Sequence, residues 1–376
     1  MSDPRLELAA SLLREFAVRT GLAGAAPPRR YLWTDAFATC LALDLGKRVD
    51  PSLSALADVL VEQVHGVLGR HRPDDTRQGW LSGLSEEEGA RHPTRAGLRI
   101  GKPRPERGPT EDWDPEAEWD RDGQYFHYLT RWIHALDRYA ARDPQARQWA
   151  VELAEAAVRR FAIVTPDGPG RLAWKMSVDL SRPQVTSMGQ HDPLDGFVSL
   201  LALRAHGTPQ QGEALEPLLA QLGVLAGGRD FFTADPLGLG GLLFDAWTLL
   251  QLPQASLSDP LPANLLALAA DGIDAWLPQS LVDQPADRRL AFRELGLAIG
   301  LHVVPRIRAR IDVARLDPAI RKVLDRLEAQ RAIGERIEAF WMDPSARTSR
   351  TWKAHEDINA IMLATRLAPE GYLDAA

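Results

Sequence analysis

The sequence predicts an all-α protein, an (α/α)6 barrel or toroid of about twelve helices with a short β-hairpin or strand inserted near residues 171–180. Three observations predict it. Apolar residues recur at helical spacing along most of the 376 residues. Asp3-Pro4, Asp50-Pro51, Asp143-Pro144, Asp192-Pro193, Asp235-Pro236 and Asp317-Pro318 each read as an Asp N-cap followed by Pro at the first helical position. Helices with one apolar stripe alternate with helices that are apolar nearly all round.

In order, the helices fall at about 4–20, 31–46, 52–69, 123–142, 144–162, 193–206, 210–226, 237–251, 261–281, 286–304, 317–342 and 353–366. Gly21, Gly46, Gly69 and Gly207 mark ends. The striped set includes SLSALADVLVEQVHGVLGRH and AIRKVLDRLEAQRAIGERIEAF, which suit a surface position. The other set includes FATCLALDLG, FVSLLALRA, GLGGLLFDAWTLLQL and INAIMLATRL, which demand burial on most sides. Gly238, Gly240 and Gly241 in the eighth helix, with Gly296 and Gly300 in the tenth, permit close helix packing.

Alternate outer and inner helices would form six hairpins around one axis, a single domain over 1–376. Inner helices would then aim their N-termini at one face. Long loops at 70–122 and 163–191 precede inner helices and are expected on that face. RLAWKMSVDL, at 171–180, alternates as a short strand does.

Composition excludes several classes. The chain is 45% hydrophobic and 25% charged, with a net charge of −7 and a pI near 5.8. No basic face suggests nucleic acid as a partner. No apolar run reaches the ~18 residues of a membrane span, and the charged N-terminus is unlike a signal peptide. A cytoplasmic location is therefore expected. The one cysteine, Cys40, reads as a buried hydrophobe and rules out an all-Cys zinc site. No metal or cofactor is expected: the sequence contains no dinucleotide fingerprint after a strand, no P-loop and no HExxH. The acids Glu111, Asp112, Asp114, Glu116, Glu118, Asp120 and Asp122 read as a solvated loop, with a calcium site as the lesser alternative.

Chemistry-bearing residues gather at the inner helix starts. Tyr31, Trp33 and Asp35 open the second helix. Asp122, Gln124, Tyr125 and His127 open the fourth, and Gln190, His191 and Asp192 the sixth. Arg293 and Glu294 lie in the tenth, and Trp352, Lys353, His355, Glu356 and Asn359 open the twelfth. Trp33, Trp113, Trp119, Trp174 and Trp352 fall in these opening segments. Each cluster has a plainer reading: Asp192 as a cap with Asp195 completing a capping box, Glu356 complementing a helix dipole, Arg293 pairing Glu294. Recurrence at several starts argues for a shared pocket. Indole and phenol faces suit sugar rings, and forked polar groups suit hydroxyls. The expected partner is a small carbohydrate, with Arg293, Arg350 or Lys353 able to hold a carboxylate or phosphate on it.

The motifs YLWTDAF, WDRDGQYFHYL, GQHDPLDG and KAHEDINAIML resemble inner-helix starts of the six-hairpin glycosidase superfamily. That group includes glycoside hydrolases, unsaturated glucuronyl hydrolases and the N-acylglucosamine 2-epimerase group. The resemblance covers most of the chain and rests on helix count, alternation and the aromatic-acid openings.

A glycoside hydrolase needs a proton donor and a second carboxylate, roughly 6.5–9.5 Å apart in an inverting enzyme. Asp35 and Glu356 are the expected working pair, with Asp192 in reserve and Asp122 a further candidate. Tyr31, Trp33, Gln124, Tyr125, His127, Trp174, Gln190, His191, Arg293, Trp352, Lys353, His355 and Asn359 are the expected binding residues. An epimerase or isomerase would use His191 and His355 as proton carriers, supported by Arg293 or Glu294. A polysaccharide lyase would draw on Tyr125, His191, Asn359 and Arg350. A non-catalytic ligand-binding barrel is the remaining alternative.

Overall fold

In the computed structural model the chain is mostly helical, 65% of it in helices. The structure describes residues 3–165, 168–253, 255–310 and 316–374. Among these, twelve helices run eleven residues or longer. They are α1 Pro4–Arg19, α2 Leu32–Arg48, α3 Ser52–Leu68, α4 Phe126–Tyr139, α5 Gln145–Phe161 and α6 Asp192–His206. They continue as α7 Pro209–Ala226, α8 Pro236–Gln251, α9 Pro260–Trp276, α10 Ala291–Leu301, α11 Pro318–Met342 and α12 Glu356–Leu367. None of the described helices is long and apolar enough to cross a membrane.

The Asp-Pro signals act largely as expected. Asp3, Asp143, Asp235 and Asp317 each accept the backbone N–H two residues on, at 2.9, 3.0, 3.0 and 2.8 Å. The contrast between striped and fully buried helices is also present. α7 buries Leu215, Leu218, Leu219, Leu222 and Leu225, one face of a helix. α12 buries every residue from Asn359 to Leu367.

Several boundaries differ from expectation: the ninth helix ends at Trp276, the tenth begins at Ala291 and the twelfth at Glu356. α4 begins at Phe126, because Gln124–Tyr125 is extended and pairs with Lys175–Met176. The tenth predicted helix breaks after Leu301, and a separate helix, Val303–Arg310, follows.

The expected strand is part of a small sheet. β1 Gln124–Tyr125, β4 Lys175–Met176 and β5 Pro183–Val185 lie antiparallel in the order β1-β4-β5. β2 Ala162–Thr165 and β3 Gly168–Leu172 form a separate hairpin. The 70–122 segment carries helices of its own, Glu86–Arg91 and Pro115–Asp120.

Contacts group the chain into two compact units. One comprises Ala17–Leu43 and Ser52–Arg229. Within it α4 packs on α5 and α6, α6 on α7, and α5 on α7. Trp132 is fully buried, and its indole N–H donates to His65 at 3.3 Å. The other unit holds most of α1, Asp44–Pro51 and the chain from Asp230. Within it α8 packs on α9 and α10, α10 on α11 and α12, and α9 on α11.

The α8–α10 crossing depends on glycine. A Cβ on Gly240 would run into the Gly296 carbonyl, and one on Gly300 would come within 2.7 Å of the Gly240 Cα. Gly241, one residue on, faces open space. Gly240→Ala is therefore expected to destabilise by about 1–3 kcal/mol through overpacking. Gly241→Ala is expected to stabilise by about 0.5–1 kcal/mol, from the lower chain entropy and better helix propensity of alanine. Urea midpoints of the two variants, moving in opposite directions, check the pair.

Candidate functional site

In the unit that contains α4 and α6, the sheet sets the first contact. Antiparallel pairing puts Tyr125 opposite Lys175 and beside Trp174, their ring centres 5.0 Å apart. His127, in the first turn of α4, stacks on Tyr125 at 5.4 Å and lies nearly parallel to Trp174 at 6.4 Å. Tyr128 stands edge-on to His127 at 4.8 Å and to Tyr31 at 5.5 Å, and its hydroxyl shares a short hydrogen bond with that of Tyr31. Trp119, 56% exposed, lies 6.3 Å from Trp174. Six rings thus form one continuous cluster, whose members range from buried Tyr125 to exposed Trp119.

Asp192 borders this cluster. Its carboxyl, 4% exposed, brings Oδ1 to 3.7 Å from His127 Nδ1. Asp192 Oδ2 and His127 Nδ1 are buried atoms with no hydrogen-bond partner among the described residues. Asp192 is the first helical residue of α6, and the N-cap is His191, which makes no side-chain capping bond. The expected capping box is therefore absent. Asp195 instead meets the Arg131 guanidinium at 3.1 Å. Gly189 is needed where the loop passes the acid, since a Cβ there would collide with the Asp192 carboxyl.

The electrostatics follow from burial. Loss of solvent, then the nearby Asp195 charge, pushes the Asp192 carboxyl up to about 8, against smaller opposing effects of the Gly189 N–H and Arg131. Burial pushes the His127 imidazole down to about 4. At neutral pH the pair is a carboxylic acid beside a neutral imidazole. A proton held on a carboxyl at pH 7 is the property a general acid requires.

The other expected carboxylates of this unit are engaged. Asp35 is 1% exposed, accepts the Tyr31 N–H at 2.8 Å and pairs with buried Arg30 at 3.4 Å, fixing the entry to α2. Asp122 is fully buried between Arg99, Arg72 and the N–H groups of Gly101 and Gly123. Gln124 is also fully buried and ties the chain together, donating to Ala96 and Val178 carbonyls at 3.0 and 2.8 Å. Trp33 packs on Phe37 at 4.6 Å and is 7% exposed. Gln190 is exposed and His191 half-buried. Two acids of the loop before α4 serve arginines and lysine, Glu111 meeting Arg121 and Glu118 meeting Arg107 and Lys175, while Asp112, Asp114, Glu116 and Asp120 are exposed.

The remaining expected residues lie in the second unit. Glu356 accepts from Lys353 at 2.6 Å. His355 is exposed, with its ring 5.6 Å from Phe292. Asn359 is buried and bridges the Phe292 N–H and the Trp352 carbonyl, each at 3.0 Å. Trp352 is buried and stacks on Trp341 at 5.5 Å. Arg293 pairs with Asp235, whereas Glu294 pairs with Arg289 at 2.7 Å and accepts the Trp341 indole N–H at 3.0 Å. The Arg293–Glu294 pair expected from sequence is therefore not formed.

The structure thus brings together Tyr31, Tyr125, His127, Trp174 and Asp192. It adds Tyr128, Trp119 and Lys102, none of them singled out as a binding residue from sequence. Lys102 Nζ lies 4.9 Å from the Trp119 ring centre and 5.5 Å from that of Tyr31. Tyr128 sits in the YFHYL stretch that marked the helix start, so its neighbours were the available signal. Lys102 lies in a segment of mixed Arg, Glu, Pro and Gly and carried none.

No family model, curated protein or solved structure matches the chain.

Proposed function

We propose that the protein is a glycoside hydrolase in which Asp192 is the proton donor and the ring cluster around Tyr125 and Trp174 holds a sugar. The observation that carries this reading is a carboxyl buried beside His127 at the edge of a partly exposed aromatic cluster, where loss of solvent holds it well above the usual carboxylate range. Asp192 would pass its proton to the glycosidic oxygen as the C–O bond breaks. Water then adds at the sugar carbon and gives up its proton to the Asp192 carboxylate, so that one group acts first as acid and then as base. Asp35 is a poorer donor, because both of its oxygens already have partners. Half-buried His127 and Trp174 would present their rings to the apolar face of the sugar.

The (α/α)6 barrel remains the proposed arrangement of the helices. Within each unit, successive hairpins pack first helix on first helix and second on second, as α4 on α6 with α5 on α7, and α8 on α10 with α9 on α11. A closed ring repeats that pattern six times.

The test is release of reducing ends from a panel of oligosaccharides and aryl glycosides. Wild-type protein is expected to cleave at least one of them. Trp174→Ala is expected to raise KM about tenfold, equivalent to about 1.4 kcal/mol, with kcat little changed, since stacking is made equally in ground and transition states. Absence of cleavage across the panel overturns the hydrolase reading.

A further inference from the structure

We infer that Lys102 selects an anionic sugar, so that the ring held at the aromatic cluster carries a carboxylate or phosphate. This rests on the sugar-binding reading above and adds the charge of the ligand to it.

The argument starts from charge accounting around the cluster. Arg99 and Arg72 meet Asp122, Arg107 meets Glu118, and Arg121 meets Glu111. Lys175 is buried and spends its three donors on Glu118 Oε1 and the Glu118 and Arg121 carbonyls, at 2.8–2.9 Å. Lys102 differs. Among the described residues its ammonium has no carboxylate within 4 Å, and what flanks it are the faces of Trp119 and Tyr31. Burial, the largest influence, together with the Lys175 charge, holds this ammonium below the ordinary lysine value, against the pull of Asp120 and Asp122. A half-buried cation between two rings gains more from an incoming anion than a solvated one does.

The lysine is also held in place at its root. The Gly101 and Lys102 backbone N–H groups both point to Asp122 Oδ1, at 3.0 and 3.4 Å. Asp122 itself is neutralised by two arginines. Asp192 meets the cluster at His127, whereas Lys102 meets it at Trp119 and Tyr31, and burial holds the Asp192 carboxyl well above the usual carboxylate range. The cationic candidates suggested by the sequence are less suited to the task, since Arg293 and Lys353 already pair with Asp235 and Glu356.

Tryptophan fluorescence titration tests this with neutral hexoses (glucose, galactose, mannose) and the 6-carboxylate and 6-phosphate of each. Wild-type protein is expected to bind at least one anionic sugar ten or more times more tightly than its neutral parent, with the advantage shrinking as salt rises. The stronger of the two anionic series identifies the acid. Lys102→Met is expected to erase the advantage, so that each anionic sugar binds no more tightly than its neutral parent does to the same variant, and Lys102→Arg to retain most of it. Equal binding of neutral and anionic sugars overturns the inference and leaves the sugar site standing. An advantage that survives in Lys102→Met overturns it as well. Failure of every sugar to bind overturns both the inference and the site.

Discussion

Asp192→Asn is expected to lower turnover by about 10²–10⁴-fold, the range contributed by one positioned acid, with sugar affinity largely kept. Asparagine preserves shape and removes the transferable proton. The wild-type pH profile should report the same group. With the acid near 8, kcat/KM is expected to stay level through neutrality and fall tenfold per pH unit above about 8.

The same proton affects stability. A carboxyl whose native value is raised from 3.8 to about 8 stabilises fully below 3.8, and that contribution is lost as pH rises through about 8. His127 works in the opposite sense. Its native value is depressed from 6.5 to about 4, so its contribution is present above 6.5 and lost as pH falls towards 4. Between about 4 and 6.5 the two slopes oppose each other. From 6.5 to 8 only Asp192 acts, and stability is expected to fall by about 2 kcal/mol over that interval. In Asp192→Asn this fall should be absent, so the difference between wild-type and variant urea midpoints should change sharply from pH 6.5 to 8. Wild-type turnover in Asp192→Asn removes Asp192 as the acid. An unchanged midpoint difference removes its raised affinity for the proton.

The helices were legible because their signals are local. Asp235 and Asp317 cap their helices through the N–H groups that an Asp-Pro start leaves unsatisfied. Glycines that allow α8 to meet α10 were visible in the sequence, but which of them matter was not: Gly240 and Gly300 close the contact while Gly241 faces outward. The site was half legible for a related reason. Asp192-Pro193 has the form of a cap, and only the structure shows that its carboxyl is buried against His127 instead. A position that breaks a local rule without local gain is where function is expected. Asp35 stood out as the acid least explained by capping, yet buried Arg30, five residues earlier, accounts for it. Lys102 was not legible at all, because its environment is made by Trp119 and Tyr31, distant from each other in sequence.

Asp122→Ala is expected to be the most destabilising of the acid substitutions, and not through chemistry. Asp122 has no exposed surface. Oδ2 lies against Arg99 and 3.8 Å from Arg72, while Oδ1 accepts the Gly101 and Gly123 N–H groups at 3.0 Å each. The acid thereby ties the start of α4 to the loop that passes behind α3, since Arg99 also donates to the Val67 and Arg70 carbonyls at 2.6 and 2.7 Å. Removing the carboxylate leaves Arg99, 4% exposed, as a buried cation without a counter-charge. Breaking one side of such a pair costs about 3–5 kcal/mol. For a chain of 376 residues that loss corresponds to a melting temperature lower by about 4–6 °C. Asp122→Asn keeps the acceptor for the two N–H groups and should lose about half as much. If Asp122 were instead the catalytic acid that its sequence position allowed, Asp122→Asn would melt near wild type and lose turnover. The two accounts therefore separate on a pair of measurements: a low melting temperature with turnover per folded molecule retained supports the structural role, and the reverse supports the catalytic one.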